Sequence, residues 1–188
     1  MTKFTMHTPE TAPEASRPWL TEAKKSLGFI PNQFAGLAES PIALKGYQTL
    51  SDLFAKSRLS PVEQQVVALS VSIENECEYC VGAHTVIAKN TAKVPAPIIE
   101  ALRTGGKLPD PKLDALAKFT RVAVSKKGWV DEATMKAVTD AGYDRGQILD
   151  VLLGISMKTL SNYANHVIGT QLDKEFESGR WTKVRKAA

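Results

Sequence analysis

The chain has two cysteines, Cys77 and Cys80, with a histidine, His84, four residues beyond the second. If this stretch is helical, the three fall at i, i+3 and i+7 and project from one face two turns long. Two thiols at that spacing can close a disulfide, and an imidazole one turn from Cys80 can take its proton. The start of a helix stabilises a thiolate through its free N–H groups and dipole, which favours Cys77. The imidazole favours Cys80. A dedicated base outweighs the dipole, so Cys80 reads as the nucleophile and Cys77 as the resolving thiol.

Other readings of the pair are weaker. A disulfide this short restricts the unfolded chain little, so a purely structural bridge gains little stability. A zinc site lacks a clear fourth ligand, because no second CxxC or HxxxH accompanies Cys77, Cys80 and His84. Two small buried hydrophobes would not call for the histidine. His166 has no partner in sequence and reads as structural, at a helix or subunit contact. Tyr79 reads as packing or pocket wall, and Trp19, Trp129 and Trp181 as packing anchors.

The elements around the dithiol are helical throughout. Ser40-Pro41 opens a helix to about Lys56, an N-cap followed by proline at the first helical position. Ser60-Pro61-Val62-Glu63 repeats that start and adds a capping box, with Glu63 placed to bond back to Ser60. This second helix carries Val62, Val66, Leu69 and Ile73 as one apolar stripe, broadened by Val67 and Val71. The dithiol helix follows a break at Asn75-Glu76 and runs to about Lys89. Further helices are predicted from Ser16 to Leu27, through Ile98 and Leu102 to Gly105-Gly106, from Asp110-Pro111 to Gly128, and from Asp131 to Gly142. A long last helix begins at Asp144 with Ile148, Val151, Leu152, Ile155, Leu160, Tyr163 and Val167 facing inward, and Leu172 to Trp181 forms a short terminal piece. The fold class is all-α, a bundle of roughly eight or nine helices. Residues 1–15, with Pro9 and Pro13, form an extended N-terminal arm, 16–182 a single domain, and 183–188 a basic tail.

Composition narrows the function. The 188 residues can bury a substantial core, and 43% are hydrophobic against 23% charged. No apolar run approaches the ~18 residues that span a bilayer. The N-terminal Met1–His7 stretch lacks a secretory apolar core, so a cytoplasmic protein with no membrane partner is expected. A permanent disulfide is rare in that compartment. The net charge of +4 comes without a basic stripe interleaved with aromatics, which argues against nucleic acid. No cofactor or metal is called for.

Leu59-Ser60-Pro61 leading to Cys77-Glu78-Tyr79-Cys80 and His84 resembles the carboxymuconolactone decarboxylase superfamily, in its alkylhydroperoxidase D-like, peroxidase-related branch. Leu27-Gly28-Phe29-Ile30-Pro31-Asn32 and Asn162-Tyr163-Ala164-Asn165-His166 share the likeness, which spans about residues 20 to 180. The resemblance implies an AhpD-like all-α fold, assembled as a homo-oligomer (trimer or hexamer). It implies reduction of an organic hydroperoxide or a similar oxidant by the dithiol, followed by re-reduction by a thioredoxin-like or lipoyl-bearing partner. Cys80 would be peroxidatic, Cys77 resolving and His84 the proton-relay member.

One position departs from the family pattern. The relay glutamate twelve residues before the first cysteine is Gln65 here, and an amide can orient His84 or hold water but cannot shuttle a proton. Glu63 points elsewhere on its helix, and Glu74 or Glu76 could substitute only if the turn folds back. The histidine that some members carry between the cysteines is Tyr79. The leading expectation is a thiol-dependent hydroperoxidase or disulfide reductase, attenuated by Gln65. The alternative is a redox-sensing or binding module with a switchable dithiol. A decarboxylase or lactone-processing activity fits least, because such members lack the dithiol.

Overall fold

A computed structural model describes residues 4–183. Among them are nine α-helices and two 3-10 turns: a turn at Glu14–Ser16, α1 Arg17–Leu27, α2 Asn32–Leu37, α3 Pro41–Ala55, α4 Pro61–Glu74, α5 Glu78–Asn90, α6 Ala96–Thr104, α7 Pro111–Ser125, α8 Glu132–Asp140, α9 Arg145–Ile168, and a turn at Lys174–Gly179. The fold is all-α, as the patterning predicts. Residues 184–188 of the predicted basic tail lie outside the described residues.

The starts follow from local chemistry. Ser40, Ser60, Asp110, Asp131 and Asp144 each accept a backbone N–H in the first turn of their helix, removing an orphan donor. Ser60 and Glu63 form the predicted capping box. Glu63 is also held from outside its helix, by the Tyr143 hydroxyl at 2.8 Å and Lys112 Nζ at 3.2 Å. Its carboxylate is therefore committed to the far end of α4 from the dithiol.

Helix α4 is the centre of the bundle and packs against α3, α5, α6, α7 and α9. Val66, Val67, Leu69 and Val71 are fully buried on it. Each contributes about 1.5–3 kcal/mol by removal from water. Gly154 lets α9 approach closely, since a Cβ there would lie 2.7 Å from Phe54 Cζ and 3.0 Å from Val67 Cγ1. The last 3-10 turn packs on α5, where Leu172 and Phe176 cover Cys77, Tyr79, Cys80 and Ala83.

The inward face of α9 differs from the sequence expectation. Ile148 and Val151 are buried as predicted, but Leu152, Tyr163 and Val167 are exposed. The buried positions further along are Gly154, Met157, Lys158, Ser161, Asn162 and Asn165. The helix carries apolar residues on more than one face, and its polar stripe is the one turned toward the dithiol. Trp129 is likewise no anchor, being 86% exposed. Trp19 and Trp181 do pack against the core, and Trp181 Nε1 donates to the Arg103 carbonyl. His166 is exposed and stacks on Tyr163.

Candidate active site

Cys77 is the N-cap of α5, in extended backbone conformation, so it stands just outside the helix. Cys80 occupies the first turn and His84 the next. Both cysteines are free thiols and both are buried. A cavity of about 450 Å³ opens beside them. Its walls include Phe29, Phe34, Tyr79, Ile87 and Phe176, and its polar end is formed by Gln33, Gln65, Cys80, His84 and Lys158. Cys80 lines this cavity; Cys77 stands behind it.

The Cys80 sulfur lies among polar side chains and can itself donate to Gln33 Oε1 at 3.7 Å. Asn165 Nδ2 donates to it at 3.2 Å and to Gln33 Oε1 at 2.9 Å. Ser161 Oγ lies 3.9 Å away. Burial opposes ionisation of Cys80, but the Cys77 thiol, the Lys158 ammonium and the Asn165 and Asn162 amides outweigh it and hold its pKa well below the ordinary thiol value. Cys77 moves the opposite way, raised first by its hydrogen bond to Cys80 and then by burial. Of the pair, Cys80 is therefore the thiol that ionises more readily and Cys77 the one that keeps its proton.

His84 takes a different place from the one its spacing suggests. Its Nε2 faces Lys158 Nζ at 3.0 Å and its Nδ1 faces Gln65 Oε1 at 2.9 Å. An ammonium only donates and an amide oxygen only accepts, so Nε2 carries the lone pair and Nδ1 the proton. Burial, then the nearby Lys158 charge, push the His84 pKa well below its usual value. The ring is neutral, and its partners are the amide and the lysine, not the Cys80 sulfur.

The cation beside the thiolate is Lys158. Its side chain is buried, with 1% of the residue exposed. Burial disfavours the ammonium, yet its electrostatic attraction to the dithiol, Cys80 foremost, outweighs burial and leaves the Lys158 pKa above its ordinary value. Gln65 orients His84, the role open to an amide at that position. Glu63 is held at the start of α4, and Glu76 pairs with Lys183. Among the described residues no Glu lines the cavity. Tyr79 is pocket wall, and its hydroxyl donates to Asp173 Oδ2 at 2.7 Å, tying α5 to the C-terminal segment.

The sequence reading thus names four residues that the fold brings together, Cys77, Cys80, His84 and Gln65. It misses Lys158, Asn165, Gln33 and Ser161. Lys158, Ser161, Asn162 and Asn165 lie at i, i+3, i+4 and i+7, a helical stripe visible in the sequence as four polar positions in register.

Residues 44–121 match the model of the carboxymuconolactone decarboxylase family. No curated protein matches the chain by sequence. Among solved structures, the chain is similar to an alkylhydroperoxidase AhpD core, a peroxidase-related protein from Ralstonia eutropha JMP134, at 24% identity, with 96% of this chain and 97% of that one covered and a TM-score of 0.83. A peroxidase-related protein from Silicibacter sp. TM1040 is similar at 20% identity, covering 94% and 97%, with a TM-score of 0.76. A variant of the debrominase Bmp8 in complex with 2,3,4-tribromopyrrole is similar at 16% identity, covering 95% and 96%, with a TM-score of 0.79. At these identities the likeness establishes the fold.

Proposed function

We propose that this chain, a member of the carboxymuconolactone decarboxylase superfamily with the AhpD-like fold, is a thiol-dependent reductase of organic hydroperoxides. The observation that carries the reading is the Cys80 sulfur on the wall of a largely apolar cavity, with the Asn165 amide donating to it and Cys77 directly behind it. The thiolate attacks the terminal oxygen of ROOH, the O–O bond breaks, and RO⁻ leaves to become ROH. Cys80 is then a sulfenic acid. Attack by Cys77 on that sulfur forms the disulfide and releases water. A thioredoxin-like or lipoyl-bearing dithiol partner restores both thiols by exchange. The aromatic and aliphatic walls favour a bulky R group over hydrogen peroxide.

Stopped-flow oxidation with cumene hydroperoxide, combined with thiol counting and mass analysis of the 77–80 peptide, tests this. Two thiols lost per peroxide and a 77–80 disulfide are expected. Cys80→Ser consuming peroxide at the parent rate would overturn the assignment. Because a debrominase shares the fold, 2,3,4-tribromopyrrole belongs in the same assay as a competing substrate.

A second reading, a redox switch with little turnover, is favoured by Gln65, which leaves His84 without a carboxylate partner. Gln65→Glu separates the two: a large gain in turnover identifies an attenuated parent site. The superfamily resemblance also supports a homo-oligomer. Outward-facing Leu149, Leu152, Tyr163 and Val167 on α9 give such an assembly an apolar face to bury, and sedimentation tests it.

A further inference from the structure

We propose that Lys158 is the proton carrier of the dithiol: it protonates the leaving oxygen, stays uncharged while Cys77 and Cys80 are joined, and takes a proton back when they separate. The proposal rests on the reading of Cys77 and Cys80 as a redox pair and deepens it.

The geometry leaves one candidate. Lys158 Nζ reaches the cavity that Cys80 lines and sits 3.0 Å from His84 Nε2. The groups facing it that can carry charge are Cys80, Cys77 and His84 on α5 and Tyr47 on α3, while α4 presents the Gln65 amide. No carboxylate is among its hydrogen-bond or ion-pair partners in the described residues. The His84 ring has its one proton directed at Gln65, away from the sulfur. Among the described residues Lys158 is therefore the cationic proton donor that lines the cavity beside Cys80.

The steps balance with it. In the first, Cys80–S⁻, Lys158–NH₃⁺ and ROOH give Cys80–S–OH, Lys158–NH₂ and ROH. In the second, the amine draws the proton from Cys77–SH, the resulting thiolate displaces hydroxide from Cys80, and the lysine proton completes water. Lys158 ends neutral. That state is the stable one, because the disulfide carries no charge and a buried ammonium without a counter-charge is strongly disfavoured. Reduction therefore takes up two protons per disulfide, one on Cys77 and one on Lys158, although Cys80 emerges as a thiolate.

The experiment equilibrates the protein with dithiothreitol between about pH 6 and pH 8, where that reference exchanges two protons per disulfide. Thiolate ultraviolet absorbance is followed in the same samples. The reduced-to-oxidised ratio at a fixed reference ratio is expected to stay constant with pH while Cys80 remains ionised. A ratio rising about tenfold per pH unit means that Lys158 keeps its charge in the disulfide form, and overturns the proposal. Lys158→Arg keeps the cation but cannot release its proton. This variant is expected to retain the thiolate, to acquire the tenfold dependence, and to oxidise more slowly with cumene hydroperoxide. A pH-independent ratio in Lys158→Arg assigns the proton to another group. Lys158→Met, of similar shape, is expected to lose the thiolate signal at neutral pH, and retention of that signal also overturns the proposal. No peroxide enters these equilibria. A protein that hydroperoxides do not oxidise, but that shows the two-proton count, refutes the peroxidase reading and the protonation of a leaving oxygen with it, and leaves Lys158 standing as the group that loses and regains a proton with the disulfide.

Discussion

Asn165 offers a direct test of what ionises Cys80. Its Nδ2 donates both to the Cys80 sulfur at 3.2 Å and to Gln33 Oε1 at 2.9 Å, while its Oδ1 is buried without a partner. That arrangement fixes the amide, since the flipped orientation would set its oxygen against both a thiolate and a carbonyl. Asn165→Ala removes a hydrogen bond to a fully buried charge, worth about 1.5–3 kcal/mol. At 1.36 kcal/mol per pKa unit, Cys80 should rise by about 1–2 units. The parent pKa is depressed from the ordinary thiol value, so the rise shows as an upward move of the titration midpoint. Thiolate absorbance titrated downward from neutral pH reads it without requiring a reagent to enter the buried site. The hydroperoxide oxidation rate should fall in parallel, with its acid limb displaced by the same amount. Loss of the Gln33 contact will also lower thermal stability, by about 1–3 kcal/mol for the unsatisfied acceptor. If the titration midpoint stays in place while stability drops, the amide is a packing element and the electrostatic account of Cys80 is wrong.

Cys77→Ser should let the Cys80 sulfenic acid persist after one peroxide, trapped by a dimedone-type reagent, whereas Cys80→Ser should trap nothing. Stability should fall with acid from two groups. Cys80 has its folded pKa depressed, so the stability it lends is present above the unfolded value of about 8.5 and is lost as pH falls, at up to about 1.4 kcal/mol per unit. Depressed His84 adds a second loss of the same slope below about 6.5, so denaturant midpoints should drop more steeply there. Tyr79→Phe leaves the buried Asp173 oxygen without its 2.7 Å donor and should cost about 1–3 kcal/mol, read as a lower Tm. Gly154→Ala drives a Cβ against Phe54 and Val67 and should cost about 1–3 kcal/mol with the thiolate signal unchanged.

The helices were legible because their starts are local chemistry. Ser60-Pro61 with Glu63, or Asp110-Pro111, states where a helix begins whatever it later packs against. Which face of α9 turns inward is not local. Sorting that helix by hydropathy places Leu152, Tyr163 and Val167 inside, whereas the fold exposes them and buries Lys158, Ser161, Asn162 and Asn165. The criterion fails where it does because a buried thiolate must be solvated by protein donors in place of water, and those donors have to come from the element facing it. The CxxC spacing and His84 reveal the dithiol, since all three lie within one stretch of chain. The lysine and asparagine completing the site stand more than seventy residues later, and spacing along the sequence carries no information about that meeting.

Lys158 also explains why an amide at position 65 is compatible with chemistry at Cys80. A carboxylate there would favour the imidazolium form of His84, and an imidazolium 3.0 Å from the Lys158 ammonium would set two buried like charges in contact. Gln65 fixes the opposite arrangement, with the His84 proton on Nδ1 and the Nε2 lone pair turned to Lys158. The reduced site then holds one cation and one anion, which neutralise each other without solvent. Gln65 and Lys158 therefore act as a matched pair: the neutral amide keeps His84 uncharged, and the uncharged His84 leaves the ammonium free to serve Cys80.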